Sequence, residues 1–239
     1  MKDSLVMNPE DIAPVLAILS TAIGFSIFWF LSGSEKFKAY FFKHGDSEEA
    51  WIRYVFIQKM TGVVFMGLFP LALVFIWTSY SLSDLGLKLG DWKESLYYIL
   101  PMGVLIVLIN SFAAKKPESL ATYPQMRVQN WTMKRFFINA MGWGLYLFAY
   151  EFLFRGVLFM ITLDSFGFWP AVAINLALYA ATHIPKGLNE TVGAFPYGLL
   201  LCYVTYSTGS LAVAFFTHWI MSISSDYFSI KYNPEMKFV

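Results

Sequence analysis

Long apolar runs alternate with short polar stretches over all 239 residues of the chain. The runs fall at 12–31, 60–77, 96–114, 136–163, 169–182, 193–206 and 210–223. The longer ones match the roughly 20 apolar residues a helix needs to cross a bilayer, a length that a soluble core does not call for. The pattern predicts an all-α, polytopic transmembrane helical bundle of about seven spans. The last three runs are short, so the expected count extends from six to eight. No soluble domain, internal repeat or low-complexity linker separates the runs, and residues 1–239 read as one integral membrane domain.

Composition agrees. Hydrophobic residues make up 57% of the chain and charged residues 14%, against about 25% charged in an ordinary soluble domain. A net charge of +1 offers no basic surface for nucleic acid, and the apolar runs make the lipid bilayer the expected partner. The single cysteine, Cys202, excludes a disulfide within the chain. The first run has Lys2 against Asp3, Glu10 and Asp11 before it, the wrong charge for a signal peptide, and is expected to be a retained anchor. Thirteen lysines and arginines, Lys59 among them at a loop edge, fall on one side of the expected topology and three on the other. Basic loops favour the cytoplasm, which puts the N-terminus outside and the C-terminus inside an odd-numbered bundle. A bacterial plasma membrane is the expected location.

Ionisable groups inside the apolar runs are costly unless they face the bundle interior and find partners, so they mark candidate sites. Glu151 and Arg155 lie four apart in YEFLFRG, on one helical face where they can pair. His183 ends the fifth run just before Pro185, and His218 lies in the seventh with Ser222 one turn on. Ser225 and Asp226 continue that stripe. Glu151 precedes Asp164 by 13 residues and His183 follows Pro170 by 13, so each lies roughly 20 Å below the connection they share. Arg155 lies roughly 14 Å below that connection and His218 roughly 12 Å below Ser210, which predicts one buried site built from three helices. Taken singly, these residues have plainer readings. A Glu–Arg pair can simply hold a bundle together, and a histidine or serine in a span commonly serves a helix–helix contact. His44, in a charged loop, reads as solvated.

The same segments resemble the signatures of the CPBP family of intramembrane proteases, which includes type II CAAX prenyl endopeptidases, bacteriocin-processing proteins and lysostaphin-resistance-protein-A-like members. YEFLFRG is similar to EExxxR followed by Gly, Tyr179–His183 (YAATH) to FxxxH, and His218–Ser222 (HWIMS) to HxxxN. YPQMR at 123–127 is also of a kind found upstream in this family, and the similarity covers about residues 120–225. The resemblance implies a peptide or lipidated protein as partner and cleavage of a peptide bond in or near the membrane, in CAAX-type or peptide-precursor substrates. It implies a catalytic set of Glu151, Arg155, His183 and His218, with Tyr150, Tyr179 and Ser222 in supporting places. The family's first glutamate is taken as the base that activates water, and that position is Tyr150 here. Tyrosine, with an ordinary pKa near 10, is a poor base at neutral pH.

Two mechanisms follow from this set. Glu151 can itself be the base, with His183 and His218 polarising the scissile carbonyl. Alternatively His183, His218 and Glu151 can hold Zn²⁺, although the helical HExxH usual for such a site is absent. Two other functions use the same residues: a catalytically silent scaffold that binds peptide, suggested by Tyr150 and Ser222, and a small transporter with a proton relay, which inverted repeats would support and the sequence does not display.

Overall fold

The computed structural model describes residues 6–45 and 47–239. Lys2 and Asp3, used above to weigh the first run, lie outside them. The described chain is almost entirely helical, as expected. Its helices are α1 (Pro9–Ser32), α2 (Glu35–Phe41), α3 (Glu48–Trp77), α4 (Trp92–Ala113), α5 (Pro117–Thr122), α6 (Met133–Phe166), α7 (Phe168–Ala181), α8 (Leu188–Thr208) and α9 (Ala212–Tyr232). Two short strands, β1 (Asn130–Trp131) and β2 (Lys237–Phe238), pair in parallel beside the loop that precedes α6.

Four runs, α1, α3, α4 and α6, are long and apolar enough to cross a membrane. The remaining long helices, α7 to α9, pack beside them. Helix boundaries differ from the apolar windows because polar caps, rather than hydropathy, end a helix. Ser47 accepts from the amide of Ala50 at the start of α3, and Thr132 accepts from that of Arg135 at the start of α6. α3 thus begins 12 residues before the apolar window does. Lys59, expected at a loop edge, lies inside the helix and is 3% exposed.

α6 is the hub. Its best apolar window is 78% buried inside the protein, whereas that of α4 is 11% buried and leaves most of its surface for lipid. α3 and α6 each contain a stretch of π-helix, Val63–Leu68 and Phe152–Met160, and the two stretches touch. α1 closes over the first of them at Gly24, where a Cβ would lie 2.3 Å from the carbonyl oxygen of Phe65. Small residues allow this kind of approach between membrane helices, where van der Waals packing carries association.

The connections gather at two ends. At one, Tyr80 donates to Asp164 (2.5 Å) and the amide of Leu211 to the carbonyl of Gly86 (3.1 Å). At the other, the Glu48 carboxylate accepts from the amides of Gln129 and Asn130 and pairs with Arg135. Most of the basic residues, including Lys36, Lys38, Lys43, Lys115, Lys116 and Lys134, belong to this second end.

Candidate active site

Three helices bring the candidate residues together. On α6, Glu151 ends the regular α-helix and Arg155 lies in the π-helical stretch that follows. Such wide turns are often found at functional sites. Both side chains are wholly buried, with Arg155 Nη1 3.1 Å from Glu151 Oε2. The contact is an ion pair without hydrogen-bond alignment. The guanidinium carbon instead sits over the Tyr179 ring, 4.1 Å from its centre, so α7 supplies a cation–π face for the charge.

The other carboxylate oxygen is held from α9. His218 Nδ1 lies 2.6 Å from Glu151 Oε1. A carboxylate can only accept, so Nδ1 carries the proton and the lone pair of a neutral His218 sits on Nε2. The His218 side chain is 12% exposed while Glu151 is fully covered, so the histidine is the edge of the pair that a reactant can reach. Tyr150 and Tyr197 stand edge-on to the imidazole at 5.7 and 6.2 Å between ring centres and narrow the approach.

His183 caps the C-terminal end of α7. Its Nδ1 lies 2.9 Å from the carbonyl oxygen of Tyr179 and 3.2 Å from Thr182 Oγ1, and its ring meets that of Tyr179. The carbonyl accepts, so this Nδ1 also carries a proton. His183 adjoins the site through Tyr179, whose ring also faces Arg155. Tyr150, at the place of the family's first glutamate, points to α7, where its hydroxyl bonds Thr182 Oγ1 at 2.9 Å. It is buried and serves as a tie between α6 and α7.

The expected convergence of Glu151, Arg155 and His218 is therefore present, with His183 and Tyr179 beside it. Ser222 is 8% exposed. His44 is exposed in its loop. Thr182 and Tyr197 were not singled out by sequence, and nothing in their local pattern separates them from ordinary packing residues. Asp226 goes to a different cluster: its Oδ2 accepts from Asn139 Nδ2 (2.6 Å) and Trp143 Nε1 (2.7 Å).

Zinc fits these side chains poorly. Both oxygens of Glu151 already face partners, one of them a guanidinium. Among the described residues no group of three or more His, Cys, Asp or Glu side chains is arranged to hold a metal ion.

Residues 134–224 match the family model described as type II CAAX prenyl endopeptidase Rce1-like. The matched segment takes in YEFLFRG, YAATH and HWIMS, the three motifs on which the resemblance rests. No curated protein and no solved structure matches the chain.

Proposed function

With residues 134–224 matching a family of CAAX prenyl endopeptidases, we propose that this chain is a membrane-embedded peptidase that cleaves CAAX-type or peptide-precursor substrates. One observation carries the reading: a buried carboxylate, fixed by Arg155, holds the reachable edge of His218 in a defined tautomer at 2.6 Å.

In the first step water binds at His218 Nε2, which takes one of its protons as the water oxygen attacks the scissile carbonyl. The imidazolium that forms lies against Glu151, whose charge stabilises it in the way the carboxylate of a catalytic triad does. His218 then returns the proton to the departing amine. Glu151 thereby activates water through the histidine. Direct abstraction by Glu151 would need water against its carboxylate, which is wholly buried. Arg155 sets a cation beside the Glu151 carboxylate, the partner that a charge buried at this depth requires. His183, with its Nδ1 held by the Tyr179 carbonyl, is positioned to orient the carbonyl or the leaving group.

A second reading has support of its own. Tyr150 replaces the family's first glutamate and is tied to Thr182, which suits a fold kept for binding peptide without cutting it. Purified protein in liposomes, offered prenylated and unmodified peptides with mass-spectrometric readout, decides between the two. Cleavage by the wild type that is lost in Glu151→Gln supports the peptidase. No cleavage by the wild type, with cleavage by Tyr150→Glu, identifies a silenced relative. Cleavage by the wild type is expected to survive 1,10-phenanthroline, and its loss would restore zinc to the mechanism.

A further inference from the structure

A groove of about 390 Å³ runs between α3 and α6 on the outer surface of the bundle and shares no lining residue with the Glu151–His218 pair. Phe56 and Ile57 of α3 form one wall and Phe137, Ile138 and Met141 of α6 the other. Its size falls within the roughly 300–1,000 Å³ of sites for small ligands. The walls are apolar throughout: Arg53 also lines the groove, but with its aliphatic stem, and its guanidinium adds no polar surface to it.

The helical spacing puts charge at one end of this groove. Arg53, Phe56 and Ile57 stand at i, i+3 and i+4 on α3, and so share a face. Lys134, Phe137, Ile138 and Met141 stand at i, i+3, i+4 and i+7 on α6, so Lys134 continues the groove's other wall by one turn. α3 and α6 run in the same direction, since Arg135 pairs with Glu48 near their starts and Gly142 meets Phe56 and Lys59 further along. Both cations therefore lie toward the same end, the end that gathers the basic loops. Arg53 and Lys134 are exposed, and neither has an ion-pair partner among the described residues. The nearby carboxylates of Glu48 and Glu49 are both taken by Arg135.

An apolar trough that ends in two unpaired cations at the basic end of a membrane bundle is complementary to one kind of molecule. We propose that the α3–α6 groove binds an anionic phospholipid, with an acyl chain along Phe56, Ile57, Phe137, Ile138 and Met141 and the phosphate between Arg53 and Lys134. Basic pockets between membrane helices hold acidic headgroups in this way. A bound lipid would span α3 and α6 just outside their contact at Gly142, and so brace the helix that carries Glu151.

The test is native mass spectrometry of delipidated protein in neutral detergent, with phosphatidylglycerol, phosphatidylcholine of the same chains, or inorganic phosphate added. Each basic side chain near a headgroup is worth on the order of fivefold in affinity, so phosphatidylglycerol should bind about 30-fold tighter than phosphatidylcholine. It should form a one-to-one adduct and raise the melting temperature. Arg53→Gln with Lys134→Gln should abolish the preference and leave the melting of lipid-free protein unchanged. Lys36→Gln with Lys43→Gln, elsewhere on the basic end, should leave the preference intact. Met141→Trp, which fills the trough, should weaken both lipids. Equal binding of the two lipids, a preference that survives loss of Arg53 and Lys134, or the same effect from inorganic phosphate alone would each overturn the proposal.

Discussion

Two buried polar clusters lie along the same pair of helices, and they are built on opposite plans. The first is Glu151, Arg155 and His218. The second lies two turns nearer the basic end: Trp143 is eight residues before Glu151 on α6, and Asp226 eight after His218 on α9, about 12 Å in each case. In the second cluster Lys59 is buried, with Nζ 2.6 Å from Gln125 Oε1 and 3.8 Å from the centre of the Trp143 ring. The same indole donates from Nε1 to Asp226, so it receives a cation on its face and an anion at its edge. Lys59 and Asp226 are thus joined through a neutral ring, and neither is titrated against a partner that a reactant can touch. In the first cluster the opposite charges meet directly, and a histidine bonded to the carboxylate presents the accessible edge. Buried charge alone therefore does not distinguish a reaction centre from a fastening between helices. An accessible lone pair backed by a buried charge does.

The largest effect that separates the two is on turnover. Glu151→Gln keeps the shape and an acceptor for Arg155 but removes the charge that stabilises imidazolium, and His218→Ala removes the base. Either should lower kcat/KM for peptide cleavage by roughly 10²–10⁴-fold. Lys59→Met with Asp226→Asn should lower it by less than about tenfold, within the range of a positional disturbance. Initial rates in liposomes make the comparison. If the second pair of substitutions costs as much as the first, the division between centre and fastening is wrong.

Stability ranks next, and here the clusters should behave alike in kind but differ in degree. Arg155→Ala leaves Glu151 buried without its cation and should cost about 3–5 kcal/mol in detergent melting. Lys59→Met leaves Asp226 with two neutral donors still in place, and about 1–3 kcal/mol is expected. Because Lys59 and Asp226 communicate through Trp143, Lys59→Met and Asp226→Asn combined should cost less than the sum of the two. Strict additivity would mean that the indole does not couple them. His218→Ala, which forfeits one hydrogen bond, should cost at most about 1–2 kcal/mol in the same assay.

The first cluster was legible in the sequence and the second mostly was not, for a physical reason. Glu151, Arg155 and His218 stand inside apolar windows, where a charge is conspicuous and depth can be counted from the loops. Lys59 stands at the border of such a window and looks like a loop residue, because hydropathy does not register the polar turns with which α3 begins at Ser47. Its partner Gln125 lies 66 positions away, beyond the reach of any local pattern. Asp226 was visible as part of a polar stripe on α9, but the stripe divides: His218 faces Glu151, whereas Asp226 faces Asn139 and Trp143. The all-helical fold followed from the apolar runs, and among the described residues the first four of the seven expected spans fall on helices long and apolar enough to cross, whereas α7 to α9 carry more polar or shorter windows. The π-helical stretch that seats Arg155 has no signature in residue spacing, since Glu151 and Arg155 pair at four apart in either kind of helix.

The smallest expected effect falls on Tyr150, which belongs to neither cluster and yet occupies the place of the family's first glutamate. Its hydroxyl bonds Thr182 Oγ1, which also bonds the carbonyl of Tyr179 and lies 3.2 Å from His183 Nδ1. Tyr150 therefore reaches the site through α7, by holding the turn on which His183 sits. Tyr150→Phe keeps the ring that packs on Phe154 at 4.7 Å and removes one hydrogen bond. A loss of about 0.5–1.5 kcal/mol in stability is expected. Thr182 keeps its bond to Tyr179, so His183 should shift little and kcat should fall no more than about threefold. If the phenol carried a proton in the reaction, Tyr150→Phe would instead match Glu151→Gln in its effect on kcat, and the two would not be additive, as residues that act as a unit are not. The pair of single variants and their double mutant, assayed for both melting and turnover, tells a tie between helices from a member of the reaction centre. A small loss in stability with turnover nearly intact places Tyr150 with the fastenings, and leaves Glu151 and His218 to activate water.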